Sequence, residues 1–141
     1  MIRFLLDTNI VSYYLRRASP ALELRMAQEL RSRSVAISAI TRAELRFGQM
    51  GLPPQDRRRP LIDGFVQQLP TLEWGSEEAE HYGELKHHLK TQGRPIGELD
   101  TQIAAHALAQ TLVLVTHNTR HFDMIGGLHI EDWMTDSPAT P

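Results

Sequence analysis

The sequence predicts an α/β fold in which a central, mostly parallel β-sheet is flanked by helices. Short apolar segments alternate along the chain with longer segments whose apolar residues recur at helical spacing. This alternation is typical of parallel strands that are connected through helices. The apolar segments are continuous, as expected for strands that are buried on both faces. There is no internal repeat, so we expect one domain over residues 1–134, followed by a disordered tail at 135–141.

The first half of the chain is predicted to contain two strands and four helices. Their order is strand 2–6, helix 8–16, helix 20–31, strand 34–38, helix 39–50 and helix 58–69. Ser19 is a favoured N-cap and Pro20 a favoured first residue, which together place the start of the second helix. Gly51 and the two prolines that follow at 53–54 end the third helix, at 39–50.

The second half continues the same alternation of strands and helices. Its predicted order is strand 71–74, helix 76–93, loop 94–98, helix 99–110, strand 112–116, turn 126–127 and a short strand at 128–130. We interpret Ser76 as the N-cap of the long helix, which has acidic residues early and lysines late, as the helix dipole favours. Gly93 ends that helix, and the strand at 112–116 has the clearest pattern.

Composition excludes several classes of function. The chain contains no cysteine, which rules out disulfides, thiolate catalysis and cysteine zinc sites. The longest apolar runs are too short to span a bilayer, and the N-terminus does not resemble a signal peptide. A cytoplasmic location without membrane attachment is therefore expected. The net charge of −2 gives no global positive field, and we expect no dedicated zinc site among the seven histidines.

Four short segments place oxygen-bearing side chains beside strongly apolar neighbours. Asp7 follows the first strand, Glu44 and Asp100 lie early in helices, and Thr116 and Asn118 follow the last clear strand. Ligands of parallel sheets bind outside the carboxyl ends of the strands. Because carboxylates are rarely buried without a partner, a hard cation such as Mg²⁺ would suit them if they converge. Glu98 is close in sequence to Asp100, but we expect it to be solvated.

Helix capping is the alternative explanation for the same residues. Asp is a favoured N-cap, so Asp7 could cap the helix that follows it. Thr41 and Glu44 have the spacing of a capping box, Asp100 lies at a helix start, and Asn118 could cap a short turn. Spacing alone does not decide between capping and a metal site, and both roles could coexist.

Five segments, in order and over nearly the whole chain, resemble the motifs of the PIN-domain family, in particular its VapC-type toxins. They are "FLLDTNIVSYYL" at 4–15, "ISAITRAELRFG" at 37–48, "GRPIGELDTQIAAHAL" at 93–108, "LVLVTHNTRHF" at 112–122 and "IEDWM" at 130–134. The resemblance implies a PIN-like three-layer sandwich with helices on both faces of the sheet. It also implies a toxin of a toxin–antitoxin pair that cleaves RNA with Mg²⁺, or with Mn²⁺ in its place.

The resemblance also assigns roles to single residues. Asp7, Glu44 and Asp100 match the acidic cluster that holds the metal, and Asn118 stands at the fourth catalytic position, where many members have Asp. That departure weakens the expectation of a second metal ion. Three further side chains are expected to support the cluster by hydrogen bonds: Thr8, Asn9 and Thr116. His117 and His121 could contact RNA.

Partners follow from the resemblance as well. A VapB-type antitoxin would bind near the active site, in a groove to which we assign Val11, Tyr14, Leu15 and Phe47, although these apolar residues could equally fill the core. A homodimer, within a larger toxin–antitoxin assembly, is expected. Two alternatives stay open: an inactive PIN domain that acts by binding alone, and a nuclease for single-stranded DNA.

Overall fold

A central β-sheet of five parallel strands organises the fold. The computed structural model describes residues 1–135, so the predicted tail falls, apart from Thr135, outside the described residues. The elements are β1 (Phe4–Leu6), α1 (Thr8–Leu15), α2 (Pro20–Arg31), β2 (Val35–Ser38), α3 (Ala39–Met50), α4 (Arg58–Gln67), β3 (Thr71–Leu72), α5 (Ser76–Thr91), α6 (Glu98–Gln110), β4 (Val113–Val115), α7 (Thr119–Phe122) and β5 (Ile130–Glu131).

The strand order is β3-β2-β1-β4-β5, and all neighbouring strands are parallel. Leu6, the last residue of β1, pairs with Ile37 on one side and with Val115 on the other. The next residue of each segment therefore lies at the same level, at the carboxyl end of the sheet. These three residues are Asp7, Ser38 and Thr116.

Alternation along β1 separates the two hydrophobic cores. Phe4 and Leu6 belong to a cluster with residues of α1, α2, α3 and α4, whereas Leu5 belongs to a second cluster with residues of α5, α6 and α7. All three strand residues are fully buried. The result is the predicted three-layer sandwich, in which the sheet is covered by helices on both faces.

Most predicted helices agree with the structure to within two residues at each end, and the strands are shorter than predicted. The predicted N-cap of α5 is wrong: Gly75 occupies that position and Ser76 is the first helical residue. Since glycine has no capping side chain, the Glu78 carboxylate instead accepts a hydrogen bond of 2.8 Å from the Gly75 amide. Among the described residues, no helix is both long and apolar enough to cross a membrane.

Candidate active site

Asp7 lies at the centre of the carboxyl end of the sheet. It directly follows β1, its side chain is only 4% exposed, and its Oδ1 accepts a hydrogen bond of 2.7 Å from the amide of Ile10. The predicted N-cap role is therefore confirmed. An exposed side chain would suffice for a cap, so capping alone does not explain why this carboxylate is buried.

Burial raises the pKa of the Asp7 carboxyl to about 6, from a usual value of 3.8. Hydrogen bonds from the Thr116 hydroxyl and the Ile10 amide act in the opposite direction, and the nearby charges of Asp100 and Asp132 raise the pKa further. The structure thus brings Asp7, Asp100 and Thr116 together, as the sequence predicts. The charges of Asp100 and Asp132 both act on Asp7, so negative charge is concentrated there.

A chain of polar contacts joins Asp7 to Asp100 through the segment after β4. Thr116 is fully buried, and its hydroxyl oxygen accepts a hydrogen bond of 3.0 Å from the Asn118 amide. The side-chain Nδ2 of Asn118 lies 2.9 Å from Nδ1 of His121, and that same Nδ1 lies 3.0 Å from Oδ2 of Asp100. Asn118 is the N-cap residue of α7, but its side chain makes no capping hydrogen bond.

The two contacts of His121 require different states of one nitrogen. A protonated Nδ1 can donate to the Asp100 carboxylate, whereas an unprotonated Nδ1 can accept from the Asn118 amide. The imidazole is exposed, so its ring can move when another group approaches Asp100. His121 therefore lies beside two predicted site residues without fixing either of them permanently.

In the part of the chain that the structure describes, Glu44 makes no hydrogen bond or ion pair to these residues, and only its helix, α3, connects it to them. Thr8, next to Asp7, donates a hydrogen bond of 3.1 Å to Thr41 of α3. Glu44 lies three residues after Thr41, on the same helix face, and is half-buried. The predicted capping box at Thr41 and Glu44 is wrong, because α3 begins at Ala39 and Ser38 is its N-cap.

The other predicted supporting residues have mixed outcomes. Asn9 is exposed, and in the described part of the chain its side chain makes no hydrogen bond, so its supporting role stays a prediction. Glu98 lies apart from the acidic group, as expected. It accepts a hydrogen bond of 2.9 Å from Tyr82 and lies 3.3 Å from the Lys86 ammonium.

Asp132 is a site residue to which the sequence reading gave no role. It follows β5, the neighbour of β4, and its carboxylate is close enough to Asp7 to raise the pKa of that group. Its Oδ2 also lies 2.9 Å from Nδ1 of His117. Because β5 has only two residues, no apolar run marked the end of a strand there; its place within "IEDWM" was the available signal.

One residue assigned to the antitoxin groove is misplaced. Val11 is fully buried in the core on the α1 face of the sheet, so it cannot line a groove. Tyr14 and Leu15 are half-buried and border an open cavity of about 290 Å³, next to Leu61 of α4. Phe47 is 79% exposed.

The donor set fits a hard divalent cation only in part. Within residues 1–135, no three His, Asp or Glu side chains are arranged to ligate one ion together, so Asp7, Glu44 and Asp100 do not form a closed shell. However, Mg²⁺ needs only one or two protein carboxylates and keeps several waters. A buried carboxylate beside two like charges, with a raised pKa, is an environment that a cation would stabilise.

A family model described as PIN domain matches residues 4–128. The chain belongs to the PIN-domain family. The match covers Asp7, Glu44, Asp100 and Asn118, whereas Asp132 lies beyond it. The parallel sheet, the two helical layers and the acidic residues at the carboxyl end are thus features of a PIN domain.

Characterised relatives and solved structures agree with this assignment. The chain is 36% identical to the tRNA(fMet)-specific endonuclease VapC of Shigella flexneri, over 94% of this chain and 99% of that protein. It is also 36% identical to ribonuclease VapC2 of Haemophilus influenzae, over 95% and 100%. The crystal structure of a DNA-bound VapBC from Salmonella typhimurium aligns with a TM-score of 0.87 at 33% identity, over 94% of this chain and 99% of that chain.

Proposed function

We propose that this PIN domain is a VapC-type toxin, a divalent-metal-dependent endoribonuclease that hydrolyses RNA phosphodiester bonds. The observation that carries the proposal is the buried Asp7 carboxylate, whose pKa is raised by burial and by the facing Asp100 and Asp132. A carboxylate in this state is poorly stabilised by the protein alone. Relatives that are named as an endonuclease and a ribonuclease align with this chain over nearly their full length, which supports the same activity.

Asp7 and Asp100, with help from Glu44, would hold Mg²⁺ or Mn²⁺. A cation bound there supplies Lewis-acid polarisation of a phosphate and lowers the pKa of a water. The chain's own contribution is orientation. The Ile10 amide and the Thr116 hydroxyl both bond to Asp7, so that its remaining lone pairs have a fixed direction.

The residues after β4 would adjust Asp100 when RNA binds. His121 bonds to Asp100 only while its Nδ1 carries a proton, and it exchanges that contact for the Asn118 amide when it does not. Release of His121 from Asp100 would leave a carboxylate oxygen available at the site. The ring is exposed and can then contact a phosphate of the substrate.

A VapB-type antitoxin is the proposed protein partner, and a homodimer within a larger toxin–antitoxin assembly is the proposed state. The support is three exposed apolar side chains, Phe47 and Met50 on α3 and Leu61 on α4, which are 79%, 61% and 50% exposed. The structural neighbours include VapBC complexes, one of which is VapBC-1 from nontypeable Haemophilus influenzae, with a TM-score of 0.83 at 35% identity, covering 96% of this chain and 100% of that chain.

Cleavage assays with a chelator test the proposed activity. The purified chain should cut RNA in Mg²⁺ and lose this activity in excess EDTA. Asp7→Asn should cut at least about 100-fold more slowly, since it removes a charge at the reacting centre while it keeps a competent N-cap. Arg33→Gln, at the opposite end of the sheet, is the matched control and should keep full activity.

Three outcomes would overturn the proposal or redirect it. Equal cleavage by the wild type in EDTA, or by Asp7→Asn, would contradict a metal site at Asp7. Cleavage of single-stranded DNA but not of RNA, assayed in parallel, would make the chain a deoxyribonuclease. Metal-independent RNA binding without cleavage would make it an inactive binding module.

A further inference from the structure

His106 is a buried histidine that the proposed chemistry does not use. It lies on α6, six residues after Asp100, and its side chain is fully buried. Its Nδ1 lies 2.8 Å from the hydroxyl oxygen of Ser38, which is also fully buried. The two residues are 68 positions apart in the chain, so this contact is a tertiary one.

Ser38 holds a special position in the fold. It is the last residue of β2 and the N-cap of α3, and its hydroxyl oxygen accepts a hydrogen bond of 3.0 Å from the Ile40 amide. The hydroxyl therefore contacts the first turn of α3 and the imidazole of α6 at the same time. α3 carries Thr41 and Glu44, and α6 carries Asp100.

The imidazole is poorly satisfied where it lies. Its Nε2 has no hydrogen-bond partner among the described residues. Burial lowers the pKa of His106, which favours the neutral ring, although the nearby Glu78 charge acts in the opposite direction. Trp74 contacts the ring edge-to-face, with centroids 5.8 Å apart, and such a contact does not require a polar residue. An apolar side chain would fill this space without leaving a nitrogen unpaired, so filling the core does not explain a histidine.

We propose that His106 is a positioning residue, whose bond to Ser38 holds the start of α3 against α6 and so sets Thr41 and Glu44 relative to Asp100. α3 is also connected to the segment that carries Asp7. Thr41 of α3 accepts a hydrogen bond from Thr8, and Thr8 directly follows Asp7 in the sequence. One buried hydrogen bond thereby links the two helices that carry predicted metal ligands.

The inference rests on the proposed function, and three variants test it. His106→Leu removes the bond to Ser38 and keeps an apolar filler. His106→Asn can return an amide group to the position of Nδ1. Ser38→Gly removes the partner hydroxyl while it keeps a residue that is tolerated at an N-cap. His87→Leu, exposed on α5, is the matched control.

Three measurements on the RNA-free protein distinguish positioning from simple core stability. Titration calorimetry with Mn²⁺ should show affinity about tenfold lower in His106→Leu and in Ser38→Gly, and mostly restored in His106→Asn. Removal of the unpaired Nε2 and loss of the bond to Ser38 act on stability in opposite directions, so the thermal midpoint of His106→Leu should change little. In amide NMR spectra, the Thr41 and Glu44 signals should move in the first two variants and return towards wild type in His106→Asn.

The outcomes separate this inference from the proposed function. Wild-type Mn²⁺ affinity and unmoved Thr41 and Glu44 signals in His106→Leu would overturn the positioning role, whether or not the chain cuts RNA. If His106→Leu does not fold, Ser38→Gly and His106→Asn provide the test. Equal losses of Mn²⁺ affinity in these two variants would contradict the inference. If the wild type neither binds Mn²⁺ nor cuts RNA, the proposed function is contradicted. The NMR comparison of the variants would then still test whether His106 positions α3.

Discussion

The two ends of the central sheet treat charged residues in opposite ways, although the uncharged Ser34 at the amino end is buried as well. At the carboxyl end, Asp7, Ser38 and Thr116 are 4%, 0% and 0% exposed. At the amino end, the residues that precede β1 and β2 include Arg3 and Arg33, which are exposed. A buried polar group costs free energy unless it is well bonded, whereas an exposed charge costs little. Burial of a charged group at the carboxyl end therefore costs free energy, whereas the exposed arginines at the amino end cost little.

Cavity size does not reveal this difference. An open cleft of about 820 Å³ lies towards the amino end, lined in part by Arg31 and Arg33 and by no carboxylate. The candidate site lies at the other end, in a place marked by buried charge instead of by volume. In this fold, the free-energy cost of burying a charge marks the candidate site better than the shape of the surface does.

The largest expected effect is on the pH dependence of stability. Because the folded-state pKa of Asp7, about 6, lies above its usual value of 3.8, the folded protein holds this proton more tightly. Stability should therefore fall as pH rises from about 4 to above 6, by about 3 kcal/mol from this group. Asp7→Asn should remove that loss, so the variant should be more stable than wild type at pH 7.5 in EDTA and nearly equal at pH 4.

Urea unfolding of both proteins at the two pH values measures this difference. Glu80→Gln, on the exposed surface of α5, is the control and should match wild type at both. If the wild type is as stable as Asp7→Asn at pH 7.5, burial of the Asp7 carboxylate costs no free energy. That result would contradict the proposed difference between the two ends of the sheet.

A smaller effect is expected for the buried hydroxyl of Thr116. Thr116→Val leaves the Asn118 amide without its acceptor and Asp7 without a donor, and we expect a loss of about 1–2 kcal/mol at pH 7.5. Thr101→Val is a matched control at a buried threonine. There the Gly97 carbonyl keeps the Thr101 amide as a donor, so the loss should be much smaller. Chemical denaturation measures both, and equal losses would contradict a specific role for Thr116.

The smallest effect is expected at the amino end. Arg33 follows the C-cap of α2 with φ of +55°, a left-handed conformation in which glycine is favoured. Arg33→Gly should raise the free energy of unfolding by about 0.5–1 kcal/mol without changing RNA cleavage. Thermal unfolding together with the cleavage assay checks this. A loss of cleavage would show that the amino end also serves the site.

The sequence predicted the layers of this fold well because each element has its own local signal. Ser19 and Pro20 predicted the start of α2 correctly, and continuous apolar runs predicted the parallel strands. The predicted N-cap of α5 was wrong because the N-cap residue is Gly75, whose amide donates a hydrogen bond to the Glu78 side chain. The serine at position 76 matched the usual cap pattern and gave no sign of this arrangement. The position of Asp7 followed from β1 alone.

The rest of the site depends on contacts between distant segments. Asp132 lies close enough to Asp7 to raise its pKa because a two-residue strand, β5, pairs with β4. His121 meets Asp100 across 21 positions. Val11 was assigned to the groove although α1 turns it into the core. Periodicity predicts which face of a helix is apolar, but it does not say whether a neighbour covers that face.

Metal binding by the RNA-free protein tests the central claim most directly. Titration calorimetry at pH 7.5 should show that the wild type binds Mn²⁺ and that Asp7→Asn and Asp100→Asn each weaken this binding by at least about tenfold. This loss of affinity is expected even though Asp7→Asn is the more stable protein. Unchanged Mn²⁺ affinity in both variants would contradict a metal site at the carboxyl end of the sheet.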